Sequence, residues 1–119
     1  MARADFNYIP VNKTFNENSP VFEVDFPVEV SASQAVVDDG YLLITVRSVD
    51  SQSHRIQING TDLSGFDIPK PPGDSDAWLT YMDRIQPNVL RSGMNNIQIT
   101  RVGNDDFVVK DIVVHWREA

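Results

Sequence analysis

Apolar residues recur at every second position along most of this chain. Phe22, Val24, Phe26, Val28 and Val30 alternate with Glu23, Asp25 and Glu29, which is the pattern of a strand with one buried and one wet face. Pro27 falls in the outward set and lacks the N–H that a sheet ladder needs, which places this strand at an edge or at a bend. Leu42, Ile44 and Val46 form a second inward set. Ahead of them, Asp38-Asp39-Gly40 predicts a tight hairpin between Ala35–Val37 and Tyr41–Arg47, since Asp-Gly supplies the positive φ such a turn requires. Ile56 and Ile58 alternate with Arg55, Gln57 and Asn59, and Asn59-Gly60 turns the chain.

The segment Thr61–Ser75 holds three of the seven prolines and reads as a long connection, not a strand. Trp78–Ile85 reads as the next strand. Asn96–Val102 reads as another, with Ile97 and Ile99 inward, followed by a polar turn over Gly103–Asp106. The last apolar run changes phase: Phe107 and Val109 share one parity, whereas Ile112, Val114 and Trp116 share the other. A β-bulge near Lys110-Asp111 would put both sets on one face. No segment has a helical period, and Ile85–Gly93 has room for one short turn. About eight mainly antiparallel strands with punctuated turns predict an all-β sandwich or barrel. Phe6, Tyr8 and Ile9 make residues 1–19 either an edge strand or a docking arm.

A chain of 119 residues is expected to form a single domain over residues 1–119. It buries about two-thirds of its unfolded surface, enough for one core. With no cysteine, disulfides and thiolate metal sites are excluded. No apolar run approaches a membrane span, and MARADFNYIP lacks the apolar middle of a signal peptide. The expectation is a soluble protein, cytoplasmic by default and with no membrane partner. A net charge of −7 argues against nucleic acid as a partner, because phosphate neutralisation needs a basic surplus on one face.

The stretch from His54 to Trp116 carries a resemblance. A strand ending in Asn-Gly (HRIQINGTDLSGFDIP) is followed by an aromatic strand and a further strand (AWLTYMDRIQPNVLRSGMNNIQITRV). A closing apolar strand (FVVKDIVVHW) completes the order. This order resembles the galactose-binding-domain-like β-sandwiches, found as sugar-binding modules and as accessory domains of glycosidases. NGTDLSGFDIP followed by W-x-x-Y-M-D is also similar to small uncharacterised single-domain sandwich proteins of archaea and bacteria. The resemblance implies a jelly-roll fold. It also implies a carbohydrate ligand on loops at one end or on a concave sheet face, and a structural calcium near the chain ends. Its calcium candidates here are Asp74 with Asp76, Asp105 with Asp106, or Asp111, although none has the ligand ladder of an EF-hand loop.

Candidate chemistry narrows the picture further. The sequence contains no cysteine nucleophile, Gly-x-Ser-x-Gly elbow, phosphate-cradling glycine loop or His-Glu-x-x-His. His54 and His115 have no neighbours at metal-ligand spacing and read as packing or surface residues. The 17 acidic residues allow accidental carboxylate pairs, and nothing singles out a glycosidase dyad. The expected protein is therefore a non-catalytic binding module without a required cofactor. A sugar site needs aromatic faces flanked by planar polar groups. Trp78, Tyr81 and Arg84, with Asn59, Asp62 and Asp67 at the start of the long loop, are its candidates. Trp78 and Tyr81 have opposite parity, so at least one faces inward, and a Trp is heavily buried on average, which assigns Trp78 to the core. Trp116, in phase with Ile112 and Val114, is core. Asn12-Lys13-Thr14 and Asn59-Gly60-Thr61 match the glycosylation pattern, the second being explained already by its turn. The competing reading is a structural subunit that forms homo-oligomers through its sandwich edges and N-terminal arm.

Overall fold

The computed structural model describes residues 3–29, 37–50, 54–63, 68 and 77–118. Eight strands follow in order: β1 (Arg3–Phe15), β2 (Val21–Val28), β3 (Val37–Arg47), β4 (Arg55–Ile58), β5 (Thr61–Asp62), β6 (Leu79–Ile85), β7 (Gly93–Thr100) and β8 (Phe107–Glu118). They form two four-stranded antiparallel sheets, ordered β1-β8-β3-β6 and β2-β7-β4-β5. Except at the β4–β5 hairpin, each strand is followed by one in the opposite sheet. This is the double Greek key of a jelly roll, as the sequence pattern and the resemblance led us to expect.

The inward sets of the two sheets meet in a single core. Leu42, Ile44 and Val46 of β3, Ile56 and Ile58 of β4, Ile97 and Ile99 of β7, and Ile112, Val114 and Trp116 of β8 are all buried. The phase break in β8 is resolved by a bulge. Ile44 pairs with Ile112 and Thr45 with Lys110, so Asp111 is the extra residue, with φ at +60°. Phe107 and Val109 thereby reach the same interior as Ile112 and Val114. Pro27 lies on edge strand β2 with its ring outward and exposed, where its missing N–H costs least. The N-terminal segment is an edge strand, paired along β8 from Arg3↔Glu118 to Phe15↔Phe107.

Three expectations are corrected. Asp38-Asp39-Gly40 does not turn: β3 runs straight through it from Val37 to Arg47. The extra residue there forms a second bulge against β8, between the pairs Val37↔Glu118 and Gly40↔Trp116. Glycine is needed for approach, not for φ, because a Cβ at Gly40 would lie 2.0 Å from the His115 carbonyl oxygen. Second, Thr61–Asp62 is a short strand, β5, joined to β4 through a two-residue turn. Asn59 (φ +51°) and Gly60 (φ +79°) both adopt the left-handed conformation of that turn. Third, Trp78 is not in the core; it precedes β6 and is 41% exposed. Val30, Ala35, Val36, Asp67, Asp74 and Asp76 lie outside the described residues.

Replacing Gly40 with Ala should destabilise the fold by about 3 kcal/mol, because the new methyl meets backbone that cannot rotate away. Urea denaturation checks this, and an unchanged midpoint would contradict the close approach of β3 to β8.

Candidate functional site

Strand alternation sends every second side chain of β1, β8, β3 and β6 away from the core. On an ordinary solvated face those positions would be polar. Here the register aligns Phe6, His115, Tyr41 and Arg84 in one row across the four strands, and Tyr8, Val113, Leu43 and Met82 in the next. Phe6 is 59%, Tyr8 50%, Tyr41 39% and Met82 68% exposed. The His115 ring stacks on Tyr41 at 4.4 Å between centroids, and Phe6 stands 5.7 Å from His115 on the other side. The third row is Lys110, Thr45 and Thr80, and beyond it Arg47 and Trp78 close the face. Given strand spacing and rise, this face measures roughly 15 by 20 Å. Phe6, Tyr8, Tyr41 and Met82 make its exposed apolar part, and exposed apolar patches are often functional.

The polar groups of this face sit at its two ends. At one end Asp39 accepts hydrogen bonds from Arg117 Nη2 (2.7 Å) and Nε (3.1 Å), and Arg84 lies 3.6 Å from its other oxygen. The Arg117 guanidinium beside Asp39 holds that carboxyl below its ordinary range. The β3 bulge brings Asp38 to Arg117 as well, at 3.6 Å. A cavity of about 190 Å³ opens here, lined by Asp5, Gly40, Tyr41, His115 and Arg117 among others. At the opposite end the Trp78 ring is flanked by Arg47, 4.8 Å from its centroid, and Lys110, at 5.4 Å. Both cations draw on the electron-rich ring face.

The predicted sugar residues that the structure describes, Trp78, Tyr81, Arg84, Asn59 and Asp62, do not converge; Asp67 lies outside the described residues. Trp78 and Arg84 both belong to this outer face but lie at opposite ends of β6, roughly 20 Å apart at strand rise. Tyr81 points to the inner side of β6, packed against the core, with its hydroxyl buried and without a hydrogen-bond partner among the described residues. Asn59 lies on the other sheet and is committed to the fold. Its amide donates to the Val89 carbonyl (2.8 Å) and to Asn95 Oδ1 (2.7 Å), and its oxygen accepts from the Asn96 N–H (2.9 Å). Asp62 pairs through both oxygens with Arg55, at 3.0 Å each. Tertiary placement therefore disperses the set that sequence proximity suggested.

The calcium candidates within the described residues also have protein partners. Asp106 receives Arg101 Nη2 at 3.1 Å, and Asp111 accepts from the Tyr8 hydroxyl. Asp105 is buried against His54. No group of three or more His, Asp or Glu side chains among the described residues is placed to hold a metal ion.

The His54–Asp105 pair is the one buried arrangement that looks catalytic at first sight. His54 Nδ1 accepts the Val102 N–H at 2.9 Å, so Nε2 carries the proton and donates to Asp105 Oδ2 at 3.2 Å. The lone pair that a general base would use is already bonded to backbone. The ring lies 3.9 Å from Phe107, which stacks on Phe15 at 4.5 Å, so His54 acts as a core ring with both nitrogens satisfied.

Sequence reading gave Phe6 and Tyr8 to an edge strand or docking arm and did not name Tyr41, Met82, Arg47 or Lys110 as site residues. The signal was present in part: Phe6 and Tyr8 have the opposite parity to Ile9 and Val11, and Tyr41 and Leu43 the opposite parity to Leu42 and Ile44. Two apolar parities in one strand mean two apolar faces.

A family model matches residues 3–118, from the start of β1 to the end of β8. The chain belongs to the family of unknown function DUF7383. It is also 27% identical over 60 residues to a protein of Rhizobium meliloti (strain 1021) named as an aminotransferase, AatC. That likeness covers 50% of this chain and only 15% of the relative. It bears on a small part of that protein and says nothing of transamination here.

Two measurements test the reading of the buried polar groups in this DUF7383 chain. Burial holds the His54 imidazole below its ordinary value of 6.5, and the Asp105 carboxylate offsets this only in part. The unfolded chain therefore takes up this proton first, so stability contributed by neutral His54 is full above pH 6.5 and falls as pH drops below it. Histidine NMR titration should show His54 protonating below 6.5; a midpoint at or above that value would contradict the assigned environment. The Tyr81 hydroxyl has no partner among the described residues, so Tyr81→Phe should leave stability unchanged or raise it by up to about 1 kcal/mol, and a loss beyond that in urea denaturation would reveal a partner for the hydroxyl.

Proposed function

We propose that this chain is a non-catalytic binding module that takes carbohydrate along the outer face of the β1-β8-β3-β6 sheet. The observation that carries the reading is the in-register row Phe6, His115, Tyr41 and Arg84, with Tyr8 and Met82 beside it: all but the half-buried His115 are exposed, where alternation calls for solvated residues. Aromatic rings offer an apolar surface to the flat side of a sugar ring, and the Asp39, Arg84 and Arg117 cluster offers planar hydrogen-bonding groups to its hydroxyls. The cavity at that end, about 190 Å³, is smaller than the roughly 300–1,000 Å³ of pockets that enclose a ligand. An extended chain laid across the face, with one unit at the cavity, suits this shape better than an engulfed small molecule.

A second reading, self-association through the same face, draws on Met82, Leu43 and Val113. Its modest extent counts against it as the main role. A face of roughly 300 Å² falls well short of the roughly 800 Å² per partner of a stable protein interface. Pairing through it alone would be weak.

A glycan array probed with the purified protein tests the proposal. We expect a reproducible polysaccharide hit that Tyr41→Ala and Phe6→Ala each weaken at least tenfold, while stability changes by no more than about 1 kcal/mol. A blank array with folded protein would overturn the carbohydrate reading. A monomer–dimer equilibrium in sedimentation, abolished by Met82→Glu, would then put self-association in its place.

A further inference from the structure

The basic residues of this acidic chain are not distributed evenly between paired and unpaired roles. Arg55 faces Asp62, Arg101 faces Asp106, and Arg84 and Arg117 face Asp39. Lys13, Arg91, Arg47 and Lys110 have no carboxylate partner among the described residues, and of these Arg47 and Lys110 share one place, both turned onto the ring of Trp78. Measured through that ring, the two charges lie within about 10 Å of each other. Two cations confined together repel, and an oxyanion between them would relieve that repulsion. The guanidinium is a planar fork suited to a carboxylate or sulfate, and the ammonium adds a compact second charge.

The floor of the same corner is polar and has a donor to spare. Lys110, Thr45 and Thr80 form one row of the sheet, and the two threonine hydroxyls lie 2.9 Å apart. One hydroxyl proton serves the bond between them, which leaves the other free to donate. We propose that Arg47, Lys110, Trp78 and the Thr45–Thr80 pair form a subsite for an oxyanion group of the bound ligand, a carboxylate or a sulfate ester. On the carbohydrate reading, which supplies the carrier but not the anion chemistry, the ligand is an acidic polysaccharide bearing uronate or sulfate. Binding draws Arg47 and Lys110 from the indole to the oxyanion, and the exposed ring then receives the sugar that carries the group.

Titrations of the whole ¹⁵N-labelled protein, followed at the Trp78 indole N–H, test this at fixed ionic strength. The probes are a sulfated disaccharide, a uronic-acid disaccharide, a neutral disaccharide and inorganic sulfate. We expect at least one acidic disaccharide to shift the Trp78 signal and to bind at least tenfold more tightly than the neutral one. Arg47→Ala/Lys110→Ala should erase that preference with the remaining amide spectrum unchanged. Arg47→Lys, which keeps the charge and loses the fork, should weaken binding several-fold and covers the case of an unfolded double variant. A response to inorganic sulfate but to no disaccharide would support the oxyanion subsite and count against the carbohydrate reading. Equal binding of neutral and acidic disaccharides would overturn the subsite while leaving the carbohydrate reading in place. No response to any probe would overturn the subsite.

Discussion

The bulge at Asp111 is the constraint on which the rest of this structure depends. β8 is an interior strand of its sheet, flanked by β1 and β3 over most of its length. Its two apolar halves have opposite parity, so a regular strand would bury one half and expose the other. One extra residue in the left-handed conformation brings Phe107, Val109, Ile112, Val114 and Trp116 into the same core. The same residue decides what faces outward. Lys110 on one side of the bulge, and Val113 and His115 on the other, become neighbours on a single outer face.

That outer face then inherits its composition from three other strands through register alone. Tyr41 meets His115 because β3 pairs with β8 at that level, and Gly40 lets the two backbones approach closely enough for the pairing to hold. A second bulge, over Asp38 and Asp39, sets both carboxylates near Arg117. Core packing and surface chemistry are thus two consequences of the same strand alignments, and a shift of one residue would exchange them.

The buried polar groups mostly serve the framework. Asn95 is buried, with its side chain bonded to Asn59, Arg91 and Gly93, and it fastens the β4–β5 turn to the approach of β7. His54 and Asp105 close the opposite requirement, since a neutral imidazole donating to a buried carboxylate and accepting a backbone N–H leaves neither ring nitrogen unpaired. A His–Asp pair is often met in active sites, yet here the lone pair is used up by the fold. On the proposed reading, recognition of a ligand falls to exposed side chains.

Periodicity in the sequence determined most of the strands, their inward residues and the bulge in β8, and placed Pro27 at an edge or a bend, because each depends on neighbours within a few residues. The Asn59-Gly60 turn was legible for the same local reason, but not the short strand that follows it. The Asp38-Asp39-Gly40 hairpin was misjudged because Gly40 answers to a backbone oxygen on β8, far away in sequence. Trp78 escaped the core because Arg47 and Lys110, from two other strands, flank its ring on the outer face. The candidate sugar residues clustered in sequence but parted in space, as β4–β5 and β6 belong to different sheets. The sequence by itself determined which residues alternate in and out of the core. Only the tertiary structure decided which outward residues share a face, since strand order and register join positions as far apart as Phe6 and His115 and no local pattern records them.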